Sequence, residues 1–263
     1  MKKMNVFALT PVVVSVLLIL GSSCGTEVSG DEVTYAVSAE GAVADGTPER
    51  FKNERGWQIE LTRAQALVGP IYFYSGAARA SLFETLLGIN EAYACAAHAQ
   101  FQSGRTLGEI PFQYGIDLLA GPTTLVEEER GESGEIRSVE LHLQNPGQVE
   151  AGNELASAPT ATYEFEGVAT RDGVSVPFVT AVTLPEDGTH QIVDSIPAQV
   201  ELSDGADLHL KLRLDRLFRD VDFEALQESA DGAPVTIEPG TQAYTSLVFS
   251  LRSRNAFVWE NGQ

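Results

Sequence analysis

Cysteine is nearly missing from this chain. Its 263 residues hold two, Cys24 and Cys95, which excludes a fold stapled by several disulfides. Histidine is almost as scarce, with His98, His142, His190 and His209 as the whole supply. Basic residues number 17 against 37 acidic ones. So acidic a balance excludes nucleic acid as a partner, because its phosphates would repel the chain. It also excludes a body lying flat on anionic lipid. The longest apolar run, Val6 to Leu20, is 15 residues and contains Pro11. A spanning helix needs about 20, so no transmembrane helix is expected. Gly-x-Ser-x-Gly occurs once, as Gly21-Ser22-Ser23-Cys24-Gly25 at the end of the apolar run, and His-Glu-x-x-His, Cys-x-x-Cys and a phosphate loop are missing, so residues 32–263 carry none of the common catalytic signatures.

What is there begins at the N-terminus. Lys2 and Lys3 precede the apolar run, and Gly21, Ser22, Ser23 and Cys24 follow it. A positive start, a short apolar stretch and small residues form a secretory leader. The ending Leu20-Gly21-Ser22-Ser23-Cys24 resembles the lipobox of bacterial lipoproteins, with Gly21 where that family prefers leucine. The resemblance implies cleavage before Cys24 and lipid on its thiol. Stable attachment takes at least two acyl chains, and bacterial lipoproteins carry several. Gly25, where an aspartate would signal inner-membrane retention, implies the outer membrane. The expected organisation is a signal peptide over 1–23, a lipidated cysteine with a flexible tether over 24–31, and one folded domain over 32–263. Without its leader the chain has 15 basic and 37 acidic residues, a charge of −22. If Cys24 carries lipid, Cys95 loses its one possible disulfide partner.

The rest of the chain is dominated by period-two alternation, which reads as strands with one buried face. Val33, Tyr35, Val37 and Ala39 form one such face, and Trp57, Ile59 and Leu61 another. Leu67 to Tyr74 is broken by Gly69-Pro70, which predicts an edge strand or a bulge. Pro111 to Leu119 reads as a strand, Glu127 to Glu135 as an acidic loop, and Val139 to Leu143 as a strand. Residues 145–159 read as a loop that could separate two subdomains, although a single domain is favoured. Asp172-Gly173 predicts a hairpin between 160–170 and 174–184. Asp204-Gly205 predicts a second, between 196–202 and 208–214, and its alternation is the cleaner of the two. Residues 243–251 fit a helix as well as a strand, and Phe257 and Trp259 predict a final strand. Helical spacing of Ala78, Leu82, Leu86, Ile89 and Tyr93 predicts a helical insertion over 78–97. A short helix is expected near 222–228, capped by Asp220 or Asp222. The fold class is therefore mainly β, an antiparallel β-sandwich with one helical insertion.

Few residues suggest chemistry. Cys95 and His98 lie three apart and would share a helix face. A thiolate and an imidazole there could begin a copper or zinc site, or pair a nucleophile with its base. A buried cysteine that acts as a small hydrophobe is the plainer explanation. His142 and His209 sit on polar strand faces and read as exposed, while His190 follows a turn. Asp220 with Asp222, and Asp204 with Asp207, could offer oxygens to calcium, yet turn and cap roles explain both pairs. Trp57 and the Ile71 to Tyr74 aromatics could form a sugar or peptide patch, or simply core. The expected function is a non-catalytic, lipid-anchored binding or structural module of the bacterial envelope, with an envelope protein or small ligand as partner and no cofactor. A copper- or zinc-handling lipoprotein using Cys95 and His98 is one alternative. An envelope hydrolase built from scattered carboxylates is the other.

Overall fold

The computed structural model describes residues 30–76, 104–153, 159–186, 190–226 and 233–262. By contact the chain divides into Met1–Gly30 and Asp31–Gln263, and the second unit is described below. The leader, Cys24, the expected insertion over 78–97, Cys95 and His98 lie outside the described residues.

Fourteen strands fall among the described residues: β1 Glu32–Ala42, β2 Arg50–Lys52, β3 Gln58–Val68, β4 Ile71–Tyr74, β5 Thr106–Ile110, β6 Tyr114–Asp117, β7 Thr123–Glu132, β8 Gly134–His142, β9 Tyr163–Arg171, β10 Val174–Val182, β11 Ile192–Leu202, β12 Ala206–Arg213, β13 Val235–Thr236 and β14 Phe257–Asn261. Two α-helices accompany them, α1 Leu214–Leu217 and α2 Gln242–Leu251, with a 3₁₀ turn at Arg254–Ala256. Eight strands form one sheet in the order β11-β8-β4-β5-β7-β1-β12-β14. Six form the other, in the order β13-β10-β9-β3-β2, with β6 also on β3. The sandwich class is as expected. Most ladders are antiparallel, while β1–β12 and β10–β13 are parallel.

Alternation explains the two layers. In β1, Val33, Tyr35, Val37 and Ala39 are buried, and Thr34, Ala36, Ser38 and Glu40 face outward. Aromatic rings dominate the interior. Phe73 meets Tyr35 and Trp259 edge-on, at centroid distances of 5.9 and 5.2 Å. Phe218, just after α1, packs against Phe51, Phe165 and Phe178 at 5.8, 5.0 and 6.0 Å. Each ring removes roughly 150–250 Å² from water, so these rings supply much of the apolar burial.

The two Asp-Gly turns diverge. Asp172 and Gly173 both have positive φ, +53° and +84°. That is the type I′ pattern, whose twist matches paired strands. Accordingly β9 and β10 form the expected hairpin, in register from Arg171–Val174 to Tyr163–Val182. At the second turn Gly205 has φ +73° and Asp204 does not turn positive, and the Ala206 N–H donates to Ser203 O at 3.0 Å. One positive φ, at the second central residue, is the type II pattern, which splays its flanking strands. The expected hairpin between 196–202 and 208–214 therefore does not form. β11 pairs with β8, and β12 runs parallel to β1, from Tyr35–Ala206 to Ala42–Arg213. Thr34 fastens the turn: its N–H and hydroxyl donate to Asp204 Oδ1 at 3.1 and 3.0 Å, and Gly205 N–H donates to its carbonyl at 2.8 Å.

Four other expectations change. Gly69-Pro70 is neither edge nor bulge. It is a corner where β3 of the smaller sheet hands over to β4, which is hydrogen-bonded on both sides in the larger. Gly69 has φ +107°, and a Cβ there would lie 2.2 Å from the Phe112 carbonyl, so glycine is required. The strand expected over 111–119 is cut by a second corner. β5 ends at Ile110 in the larger sheet and β6 begins at Tyr114 on β3, because Pro111 has no N–H for a ladder. The acidic run 127–135 belongs to β7 and β8. Glu127 and Glu128 stand in solvent while β7 pairs with β1, and Arg130–Glu32 and Arg105–Glu132 contacts at 3.3 and 2.8 Å offset the repulsion among the acids. Residues 222–226 form a single turn rather than a helix. Asp222 Oδ1 accepts from Glu224 N–H, and Phe223 is drawn into the core against Trp57 and Phe178. Residues 243–251 are helical, with Thr241 capping Tyr244 N–H and Ala243, Leu247 and Leu251 buried at helical spacing.

Candidate functional site

The outward face of the larger sheet carries two groups of side chains with chemistry. The first lies on β1 and β12. Ser38 and Glu40 are two apart on β1 and so share a face. Parallel pairing sets His209 directly opposite Ser38, and Lys211 opposite Glu40. His209 Nδ1 lies 2.8 Å from Ser38 Oγ, and its Nε2 lies 3.0 Å from Glu40 Oε1. An ionised carboxylate only accepts, so Glu40 requires the proton on Nε2. In that tautomer the Nδ1 lone pair faces the Ser38 hydroxyl. On the far side of His209, β14 places Glu260 opposite it, and Glu260 pairs with Lys211. Both β1 and β12 are laddered on two sides, so the group stands on backbone held from both edges. His209 is only 8% exposed, which corrects the reading of an exposed strand histidine.

The second group lies on β4, β5 and β8. Tyr72 stands between Glu109 and Glu140 in the ladder, and Tyr74 between Thr106 and Ser138. His142 is not free in solvent either. Its Nε2 meets Glu140 at 2.8 Å, and its ring meets Tyr72 edge-on at 5.5 Å. Burial, followed by the charge of Glu140, pushes the Tyr74 phenol up to about 12. Burial and the charges of Glu109 and Glu140 raise Tyr72 as well. These phenols stay neutral across the ordinary pH range. The aromatic reading thus divides: Trp57 and Phe73 are core, and Tyr72 and Tyr74 face outward.

Other candidates do not converge. Asp220 pairs with Arg219, while Asp222 holds Trp57 Nε1 and a turn N–H. Asp204 is fastened to Thr34, and the Asp207 carbonyl accepts from Gly262. Among the described residues no three His, Cys, Asp or Glu side chains gather as metal ligands. Carboxylates with resolved shifts move downward. Thr47 hydrogen-bonds hold Glu49 low, and Thr34 does the same for Asp204. At Asp222, burial pushes upward but hydrogen bonds from Glu224 and Trp57 and the nearby arginines prevail. A general acid needs the opposite shift. Gly46, Thr47, Glu49, Arg50, Glu60 and Leu61 line a shallow open depression, bridged by an Arg50–Glu60 contact of 2.6 Å. His190 lies in the turn before β11. Cys24, Cys95 and His98 are outside the described residues.

Comparison of the chain with protein-family models, curated proteins and solved structures found no match.

Sequence reasoning missed Ser38 and Glu40. Alternation along β1 already places them on one outward face, but only the β1–β12 pairing, across about 170 residues, reveals their partner.

Proposed function

We propose that this chain is a lipid-anchored protein of the bacterial cell envelope, sorted to the outer membrane, with its β-sandwich acting as a binding or structural module. The observation that carries this reading is the leader, from Lys2-Lys3 through the 15-residue apolar run to the lipobox-like ending at Cys24. The charge of −22 without the leader supports a body tethered to the membrane instead of adsorbed on it. β1 begins at Glu32, so only the short polar stretch from Gly25 to Asp31 separates the anchor from the first strand. Tyr72, Tyr74 and His142 on the outward face offer rings for a partner to cover.

The test is peptide mass spectrometry on protein extracted from membranes. The expected N-terminal peptide begins at Cys24 and carries acyl chains, and Cys24→Ser releases the protein from the membrane fraction. An N-terminal peptide with unmodified Cys24, or Cys24 in a disulfide with Cys95, overturns the reading.

A further inference from the structure

We infer that Ser38, His209 and Glu40 form a reactive serine site that takes an acyl group from small, uncharged carboxylic esters. The inference goes beyond the envelope reading and does not depend on lipid at Cys24. It rests on an arrangement of three parts. A nucleophile lies within hydrogen-bond reach of a base, at 2.8 Å between Ser38 Oγ and His209 Nδ1. A third group orients that base, at 3.0 Å between His209 Nε2 and Glu40 Oε1. This is the general signature of an activated hydroxyl. The strands explain its precision: Ser38 and Glu40 are fixed by alternation, His209 by register, and both strands are interior to the sheet.

The step balances as an acyl transfer. Ser38 Oγ forms a bond to the ester carbonyl carbon as its proton moves to His209 Nδ1. The bond from that carbon to the leaving oxygen breaks, and the leaving oxygen takes the proton from His209. Water then attacks the acyl-serine with His209 as base, releasing the acid and restoring Ser38. Ser38 and His209 are the catalytic residues. Glu40 is a positioning residue that holds the imidazole in the tautomer with a free Nδ1.

The surroundings set the substrate class. Glu40 and Glu260 flank His209, and Lys211 is paired with Glu260. An anionic ester meets two carboxylates there, so an uncharged one is favoured. Backbone N–H groups of β1 and β12 serve ladders on both sides, and the cations on that face of β12, Lys211 and Arg213, are paired with Glu260 and Asp215. Stabilisation of the oxyanion is consequently limited, which predicts ready acylation by activated esters and slow turnover.

The experiment uses the full chain purified in detergent. It is treated with a fluorophosphonate and, separately, with p-nitrophenyl acetate. The modified residue is mapped by mass spectrometry, and p-nitrophenol release is followed in time. The expected result is modification at Ser38 with a burst of up to one equivalent, absent in Ser38→Ala. Acylation slows by about 10²-fold in His209→Gln and Glu40→Gln. Glu40→Asp restores a measurable part of the rate, which a purely structural role for Glu40 would not produce. Thermal melting confirms that each variant is folded. No modification of folded wild-type protein, modification at another residue, or a wild-type rate in Glu40→Gln overturns the inference.

Discussion

Two turns with the same dipeptide send this chain in opposite directions. At Asp172-Gly173 both residues take positive φ, and the flanking strands close on each other for nine paired positions. At Asp204-Gly205 only the glycine does, and β12 leaves β11 to run beside β1. The difference lies in what each turn touches. A Cβ at Gly173 or Gly205 would meet nothing within 4 Å, so crowding at the glycine decides neither. Asp204, by contrast, is bound by the N–H and hydroxyl of Thr34, at the start of the strand that receives β12. A side chain about 170 residues away in sequence therefore accompanies the choice of turn. The consequence reaches the candidate site, because only the parallel β1–β12 ladder brings His209 to Ser38 and Glu40.

One substitution made at both turns gives the largest expected contrast. Asp172→Pro imposes φ near −65° where the chain needs +53°. It should cost at least ~2 kcal/mol and lower the urea midpoint clearly. Asp204→Pro puts the same ring where a type II turn favours it. Its entropic gain is set against the lost Thr34 contacts, so its midpoint should move by less than a third of the Asp172→Pro shift. Equal losses at both turns would show that the two turns share one geometry.

A smaller effect concerns acid. Hydrogen bonds from Thr34 hold the Asp204 carboxyl below the usual carboxylate range. A carboxylate with a depressed folded pKa stabilises the fold above its unfolded pKa, and that contribution disappears as pH falls through the folded value. Thr34→Val keeps the N–H donor and removes the hydroxyl. Urea midpoints measured from pH 7 to pH 3 should therefore fall less steeply in Thr34→Val than in the natural chain. Superimposable pH profiles would mean that the Thr34 hydroxyl does not fasten the turn.

Much of the fold was legible in the sequence because alternation is a local property. The buried faces of β1, β9 and β10 follow directly from period two, and the type I′ hairpin from Asp172-Gly173. Pairing between distant strands was not legible. Leu208, Leu210 and Leu212 announce a strand, but nothing in their spacing names β1 as its neighbour. The acidic residues 127–132 look like a loop because their side chains have no buried face, whereas the backbone is held in a ladder by β1. For the same reason His209 read as exposed: its burial depends on Ser38, Glu40 and the neighbouring strands, which are supplied by register and not by local pattern. The corners at Gly69-Pro70 and Pro111 were visible as breaks, but a break does not say which sheet receives the next strand.

The parallel β1–β12 ladder can be tested by letting one cysteine choose its partner. Cysteines are placed at Ser38, Val200 and His209, in a background of Cys24→Ser and Cys95→Ser. In the observed register position 209 faces position 38. A hairpin closed at Ser203–Ala206 would instead set 209 opposite 200. After mild oxidation, peptide mapping should find the 38–209 disulfide as the main product, since direct neighbours on one sheet face satisfy the distance a disulfide needs. A 200–209 disulfide in its place would contradict the ladder and the serine site built on it.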